Sequence, residues 1–471
     1  MGKYSRLGKN VLLVFCGNAG SKLIGLLMLP LYTRWLSVED YGITDILTVY
    51  VTLLSYIVTC GIFNAIFVFP SGAERDQQEK YFSSGLIFSL VMFVASAILF
   101  TAVGLCSDLL DWKNSFTTHL WFVYFMLITT ALQQYTQQFV RSIGKMVVFS
   151  TTGIVVTVAT VLFSFVLIPQ FGVSGYICSI ITANLLGAVY SFVCSSSHNY
   201  FSWRQFDRSS CTEMLKYAVP TIPNGIMWWL VSALNRPLME KHLGLHDIGL
   251  FAVANKFPGI LSMLFSIFAV SWSISVLEEF NKEGYSIFFN KVMFFVFSLL
   301  CSAYIVITVC SKLLVSLFAA AEFFEAWRYI PIMTLSVLFA NMAGFAGTNF
   351  QATKESKYYF YSSVWGGLTA VVCNILLIPT IGLLGATIAT MISFLVMFVS
   401  RVIYGWRYVQ IVNFRKYSIV ILGCLAVAVM SYIEINPIVL YAFAATMLLI
   451  ILFFSKDTIQ TLCRTIYSKI I

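Results

Sequence analysis

A chain of 471 residues that is 59% hydrophobic and only 10% charged departs from soluble domains, which are about half apolar and a quarter charged. Its mean hydropathy of +0.87 marks an integral membrane protein. The formal charge of +9 does not point to nucleic acid, because no soluble stretch is long enough to carry a basic face. Eleven cysteines are scattered without a CxxC and suggest neither a disulfide framework nor a metal site.

The first long apolar run covers 10–36 and is read as a retained span, since it lacks a small-residue cleavage site. It carries Lys22 near its midpoint, with Asn18 one turn earlier on the same face. An ammonium there costs about 2.5–3.5 kcal/mol on insertion, so it should face a partner or a wet cavity rather than lipid. Thirteen further apolar spans follow at 41–69, 82–106, 118–140, 147–168, 174–196, 217–240, 248–276, 291–316, 329–352, 361–378, 384–405, 417–435 and 437–455. The predicted fold is therefore an all-α polytopic membrane protein of about 14 helices. With the N-terminus in the cytoplasm, 21 Lys and Arg fall on the inner side and six on the outer side. That split places both termini in the cytoplasm.

The chain also repeats itself. Lys9, Pro30, Arg34, Leu36, Asp40 and Gly42 recur 207 positions on as Lys216, Pro237, Lys241, Leu243, Asp247 and Gly249. The motif LIPxxGxxG at 167–175 returns 210 positions on, at 377–385. Each repeat holds six spans, so the halves share one orientation and should be related by a pseudo-two-fold axis along the membrane normal. The expected lobes are 1–200 and 201–410, with 411–471 forming an added helix pair and cytoplasmic tail. The repeated Asp-x-Gly pairs read as tight turns and helix caps.

Polar residues within this apolar frame supply the candidate site. Lys22 in span 1 and Lys256 in span 8 are the cations deepest in the membrane. Arg141 closes the inner end of span 4, and Arg236 lies at the outer end of span 7. Amides able to meet sugar hydroxyls are Asn18, Gln134, Asn224, Asn255 and Asn341, with Gln133 and Gln137 beside them. Asp45 and Glu240 are the acids near the membrane that could carry a coupling proton. Pro30, Pro220, Pro223 and Pro258 are expected hinges, because proline removes a helix bond and kinks the rod. No Walker A, HExxH or GxSxG motif is present, so no enzyme is expected. His242 and His246 have metal-like spacing, but Gly244 interrupts them, and no metal or cofactor is expected.

The opening LGKNxLxxxxGNxGSKLIGLLxLPLYTRxLSxEDYGIxDxL at 7–47 resembles the start of bacterial lipid-linked oligosaccharide flippases. These are the O-antigen and exopolysaccharide transporters of the multidrug/oligosaccharidyl-lipid/polysaccharide superfamily. The LIPxxGxxG turns and the TKES segment at 353–356 are similar to that family too. The resemblance implies a two-lobed bundle that moves an undecaprenyl-diphosphate-linked glycan from the inner to the outer leaflet of the bacterial inner membrane. Its alternating-access cavity would be cationic. Implied partners are that glycan, membrane lipids, and the polysaccharide polymerase and chain-length proteins, with no nucleic acid. Two alternatives stay open: a lipid II flippase, which also has two extra helices, and a cation-coupled drug exporter, which would want an acidic cavity.

Overall fold

Within a bilayer no water is at hand for backbone groups, so a chain this apolar closes its hydrogen bonds inside helices. The computed structural model describes residues 20–353, 355–433 and 435–470, and its regular structure there is helical throughout. Among the described residues, nine helices are long and apolar enough to cross a membrane.

Two of the nine are hairpins. Met146–Cys194 has 49 residues and Ser356–Gly405 has 50, and a straight helix of that length would run about 75 Å, more than twice the hydrocarbon core. Helical torsions fail at Gly172 (φ 55°, ψ −130°) and Gly382 (φ 62°, ψ −139°), each three residues after a proline. The prolines offer no amide to the helix, and a residue with a Cβ is strained at those torsions. A Cβ on Gly175 or Gly385 would collide with the carbonyl oxygen of Leu167 or Leu377. The arms then return antiparallel. Thr152 Oγ1 meets Ser191 Oγ at 3.0 Å in the first hairpin, and Trp365 Nε1 donates to the Tyr404 hydroxyl at 3.0 Å in the second. The turns thus lie where the repeated LIPxxGxxG motif puts them.

The hairpins also exchange sizes at matching places. In the first, Gly187 faces Val156; 210 positions on, Met397 faces Gly366. Large against small survives, with the glycine moved to the other arm.

Other expected spans are broken. Span 2 divides into Val38–Val58 and Ile62–Val68 at Cys60 and Gly61, whose φ values are 50° and 66°. Span 7, expected at 217–240 with hinges at Pro220 and Pro223, is Ile222–Ser232 followed by Asn235–His242, after the short 3-10 turn Val219–Thr221. Pro220, Pro223 and Pro237 each stand in the first turn of a segment, where a missing amide costs least. Pro30 and Pro258 likewise open Leu29–Trp35 and Pro258–Glu279.

By internal packing the chain forms two compact units. The first runs through Trp229 and takes in Leu245–Gly249; the second holds Leu230–Gly244 and the chain from Leu250 onward.

In the first unit, residues 201–229 are tied to the helices that precede them. Tyr81 donates to Glu213 Oε2 at 2.9 Å, Ser84 Oγ accepts from the Asp207 amide at 2.8 Å, and Trp229 Nε1 donates to the Val49 carbonyl at 3.1 Å. Phe82, Tyr135, Phe139 and Met214 fill the core beneath them. Asp207 caps Arg208–Ala218, and the Ser210 hydroxyl with the Ser210 and Ser209 amides holds its carboxyl below the ordinary aspartate range.

The repeat shows most directly near residue 42. A Cβ on Gly42 would collide with the Leu245 carbonyl, and one on Gly249 with the Val38 carbonyl. Positions one repeat apart thereby exchange partners, as a local two-fold requires. Asp40 does cap its helix, in a reciprocal pair of bonds with Ser37 of 3.1 and 3.3 Å. Gly42 is within that helix, so its role is close approach of two backbones rather than a turn.

In the second unit Trp272 stacks on Phe345 with ring centroids 4.4 Å apart, and Tyr285 bonds Asn349. The last two helices, Phe414–Tyr432 and Pro437–Ile470, pack on Tyr285–Val309. They are joined to this unit rather than standing apart from it.

Candidate substrate site

Lys22 lies on the helical segment 20–27, just before the break at Met28, and its side chain is exposed. The neighbouring face of that segment is covered instead: Gly20 packs against Ile154, and Ser21 sits beside Gly153. Asn18 falls outside the described residues. Further along, Tyr32 and Trp35 pack on Tyr176 and Phe165, so both arms of the first hairpin position this short helix.

Asn224 has the most suggestive environment of the candidate amides. It is half-buried, and its Oδ1 is shut away from solvent with no hydrogen-bond donor. A buried acceptor left unmade costs about 1–3 kcal/mol, so such a group marks a place for water or ligand. The adjacent Gly225 lies 3.0 Å from the Tyr56 ring, measured from where its Cβ would be. Asn341 Nδ2 in the second unit and Gln138 Oε1 in the first are orphaned in the same way.

The glutamines of LQQYTQQF divide their tasks. Gln133 donates to Gln137 Oε1 at 2.9 Å, and Gln137 donates to the Phe149 carbonyl at 2.9 Å, which ties this helix to the first hairpin. Gln134 is half-buried. Arg141 stacks on Phe67 at 4.2 Å and on Phe149 at 5.5 Å. Arg141 and the glutamine ladder therefore converge on Phe149.

In the second unit Arg236 is buried. It donates to Asn235 Oδ1 at 3.0 Å and to the Ser232 carbonyl, and its guanidinium lies 4.5 Å from the Phe251 ring centre. Asn255 and Lys256 are exposed at the end of Leu245–Lys256, next to the Pro258 restart. Asp45 and Glu240 are half-buried, and with Lys256 and Arg236 each already takes part in a further interaction. Among the described residues no group of three His, Cys, Asp or Glu side chains could hold a metal.

One buried cation escapes the sequence reading. Arg401, counted above among the inner-side charges, is fully buried. Its Nη1 donates to the Ala343 carbonyl at 2.7 Å, Nε to Ser362 Oγ at 3.1 Å and Nη2 to Ser363 Oγ at 3.4 Å, while the guanidinium lies 4.1 Å from the Tyr359 ring centre. The repeat offset gives the missing signal. Ser362 and Arg401 are each 210 positions on from Thr152 and Ser191, the hydroxyl pair of the first hairpin.

Comparison with known proteins adds to this geometry. A family model described as polysaccharide biosynthesis protein matches residues 7–274, more than half the chain. An uncharacterized membrane protein of Methanocaldococcus jannaschii is 21% identical over 425 residues, covering 82% of this chain and 95% of that protein. Among solved structures, a lipid II flippase MurJ in an inward closed conformation superposes with a TM-score of 0.72 at 14% identity, covering 95% of this chain and all of that one. An inward-facing MATE family multidrug transporter gives 0.66 at 13% identity, over 82% of this chain and 94% of that one.

Proposed function

Because the chain belongs to the polysaccharide biosynthesis protein family, we propose that it is a flippase for an undecaprenyl-diphosphate-linked oligosaccharide repeat unit destined for O-antigen or exopolysaccharide. The family match carries this reading, and it includes Lys22 and the opening motif around it. A diphosphate on a hydrophilic glycan cannot cross hydrocarbon unaided, since charge and unpaired polar groups are costly there. Lys22 and Lys256 supply charge for the diphosphate, and the orphaned amides of Asn224 and Asn341 are suited to sugar hydroxyls. The prenyl tail stays in lipid. Alternating access would have Pro30, Pro220, Pro223 and Pro258 as the places where helices bend. The setting we propose is the bacterial inner membrane with both termini cytoplasmic, and the export step hands its glycan to the polymerase and chain-length machinery.

A second reading, lipid II transport, is favoured by one observation. The superposition on the lipid II flippase takes in 95% of the chain, against 82% for the MATE transporter.

Deleting the gene tests both. The first reading expects loss of surface glycan with accumulation of its lipid-linked repeat unit, whereas lipid II transport expects accumulation of lipid II and failure of the cell wall. In the deletion strain, Lys22→Ala at normal protein levels should fail to restore export; full restoration would remove Lys22 from the site.

A further inference from the structure

Two adjoining hollows lie inside the second unit, away from every candidate residue above. One is an almost wholly apolar space of about 640 Å³ among Tyr285–Val309, Ile330–Ala352, the returning arm of the second hairpin and Phe414–Tyr432. Met293, Phe339, Leu395 and Val402 are among its walls. The other, about 300 Å³, has mixed walls: beside Phe294 and Phe454 it bears Lys291 and Lys416 with Ser286, Asn290 and Asn413. Tyr417 borders both.

We propose that the two hollows form one binding site for an anionic glycerophospholipid of the surrounding bilayer, with its phosphate between Lys291 and Lys416 and one acyl chain in the apolar space. Charge complementarity favours this occupant. Among the residues whose side chains are described, which do not include 457–470, neither lysine is ion-paired to a carboxylate. Lysine is a point-charge donor well matched to phosphate. Both lysines lie at the end of the helices that the charge split assigns to the cytoplasm, where the leaflet is anionic and basic pockets between helices bind acidic headgroups.

The smaller hollow is preformed. Asn290 donates to the Gln410 carbonyl at 2.9 Å and accepts from the Val412 amide at 3.0 Å, pinning the linker that carries Asn413 and leads into the helix bearing Lys416. Lys416 Nζ lies 5.8 and 5.7 Å from the Phe294 and Phe454 ring centres, so its stem is held by aromatic walls. The Tyr417 ring is fixed by Phe294 and Phe297 at 5.2 and 5.0 Å. Its hydroxyl is buried without a partner, at the junction where a lipid carries its ester oxygens. The apolar volume also selects among lipids. It lies within the ordinary range for a small ligand, whereas an undecaprenyl tail holds several times more hydrocarbon than one acyl chain.

Native mass spectrometry of the purified full chain, titrated with phosphatidylglycerol or with phosphatidylcholine of the same acyl chains, tests the site. The wild type should retain one phosphatidylglycerol, at least about tenfold more tightly than phosphatidylcholine, and Lys291→Gln with Lys416→Gln should erase that preference. Val402→Phe should lower retention of phosphatidylglycerol while both lysines remain. All variants should keep the wild-type melting midpoint in lipid-free detergent, which separates lost binding from lost folding. Equal retention of the two lipids by the wild type, or undiminished phosphatidylglycerol binding by the doubly neutral variant, would overturn the proposal. So would undecaprenyl phosphate displacing phosphatidylglycerol when added at equal concentration, since the site would then belong to the transported lipid.

Discussion

A charged side chain wholly inside a helical bundle is tolerated only when its donors are spent, and Arg401 spends them on Ala343, Ser362 and Ser363. Arg401→Met should therefore leave three buried acceptors unmade and cost about 3 kcal/mol, read as a lower melting midpoint in detergent. Arg401→Lys should recover little of it, because one ammonium cannot reproduce the planar fork. An unchanged midpoint in Arg401→Met would refute this role. Its position explains why sequence reading misplaced it: a basic residue close to the end of an apolar run scores as a loop charge, and only contacts show that it points inward. The opposite error concerns Gly42 and Gly249. Their duplication was plain in the sequence, but a glycine beside aspartate suggests a turn, and backbone contact across more than 200 residues leaves no local trace. Lys22, by contrast, stood out from its cost alone.

Among the elements, the two hairpins were the most legible, because proline and glycine at fixed spacing act through local backbone sterics. Span 7 was less so: its apolar content is continuous, while its first-turn prolines divide it into separate segments. The exchanged glycines supply an element-scale test. Gly187→Val should overpack the first hairpin at a cost of about 1–3 kcal/mol, and adding Val156→Gly should restore part of it by reproducing the arrangement of Gly366 and Met397. Independent, additive losses in the double variant would contradict the pairing. The helix Arg208–Ala218 supplies a second test through its cap. The bonded Asp207 carboxyl titrates below its ordinary range in the folded protein, so its stabilising contribution is present at neutral pH and is lost as pH falls toward that lowered value. Asp207→Ala should accordingly lower the melting midpoint at pH 7, and the gap from the wild type should close in acid. A gap that stays constant with pH would mean that the cap does not act through its charge.

For the whole molecule, composition sufficed to indicate a polytopic helical membrane protein, since the bilayer leaves few ways to satisfy a backbone. Substrate choice is less accessible to sequence, because it depends on which polar groups remain unspent after packing. Gln133 and Gln137 are consumed in holding the first hairpin, Arg236 bonds its own helix, and Asn224 keeps an open acceptor. The most direct measurement is made in proteoliposomes loaded with undecaprenyl-diphosphate-linked oligosaccharide, by following how much of the glycan becomes reachable by a lectin added outside. Wild-type protein should bring the inner-leaflet glycan within reach of the lectin, and Lys22→Ala should slow this markedly. Wild-type vesicles that expose no more glycan than protein-free ones would contradict the assignment.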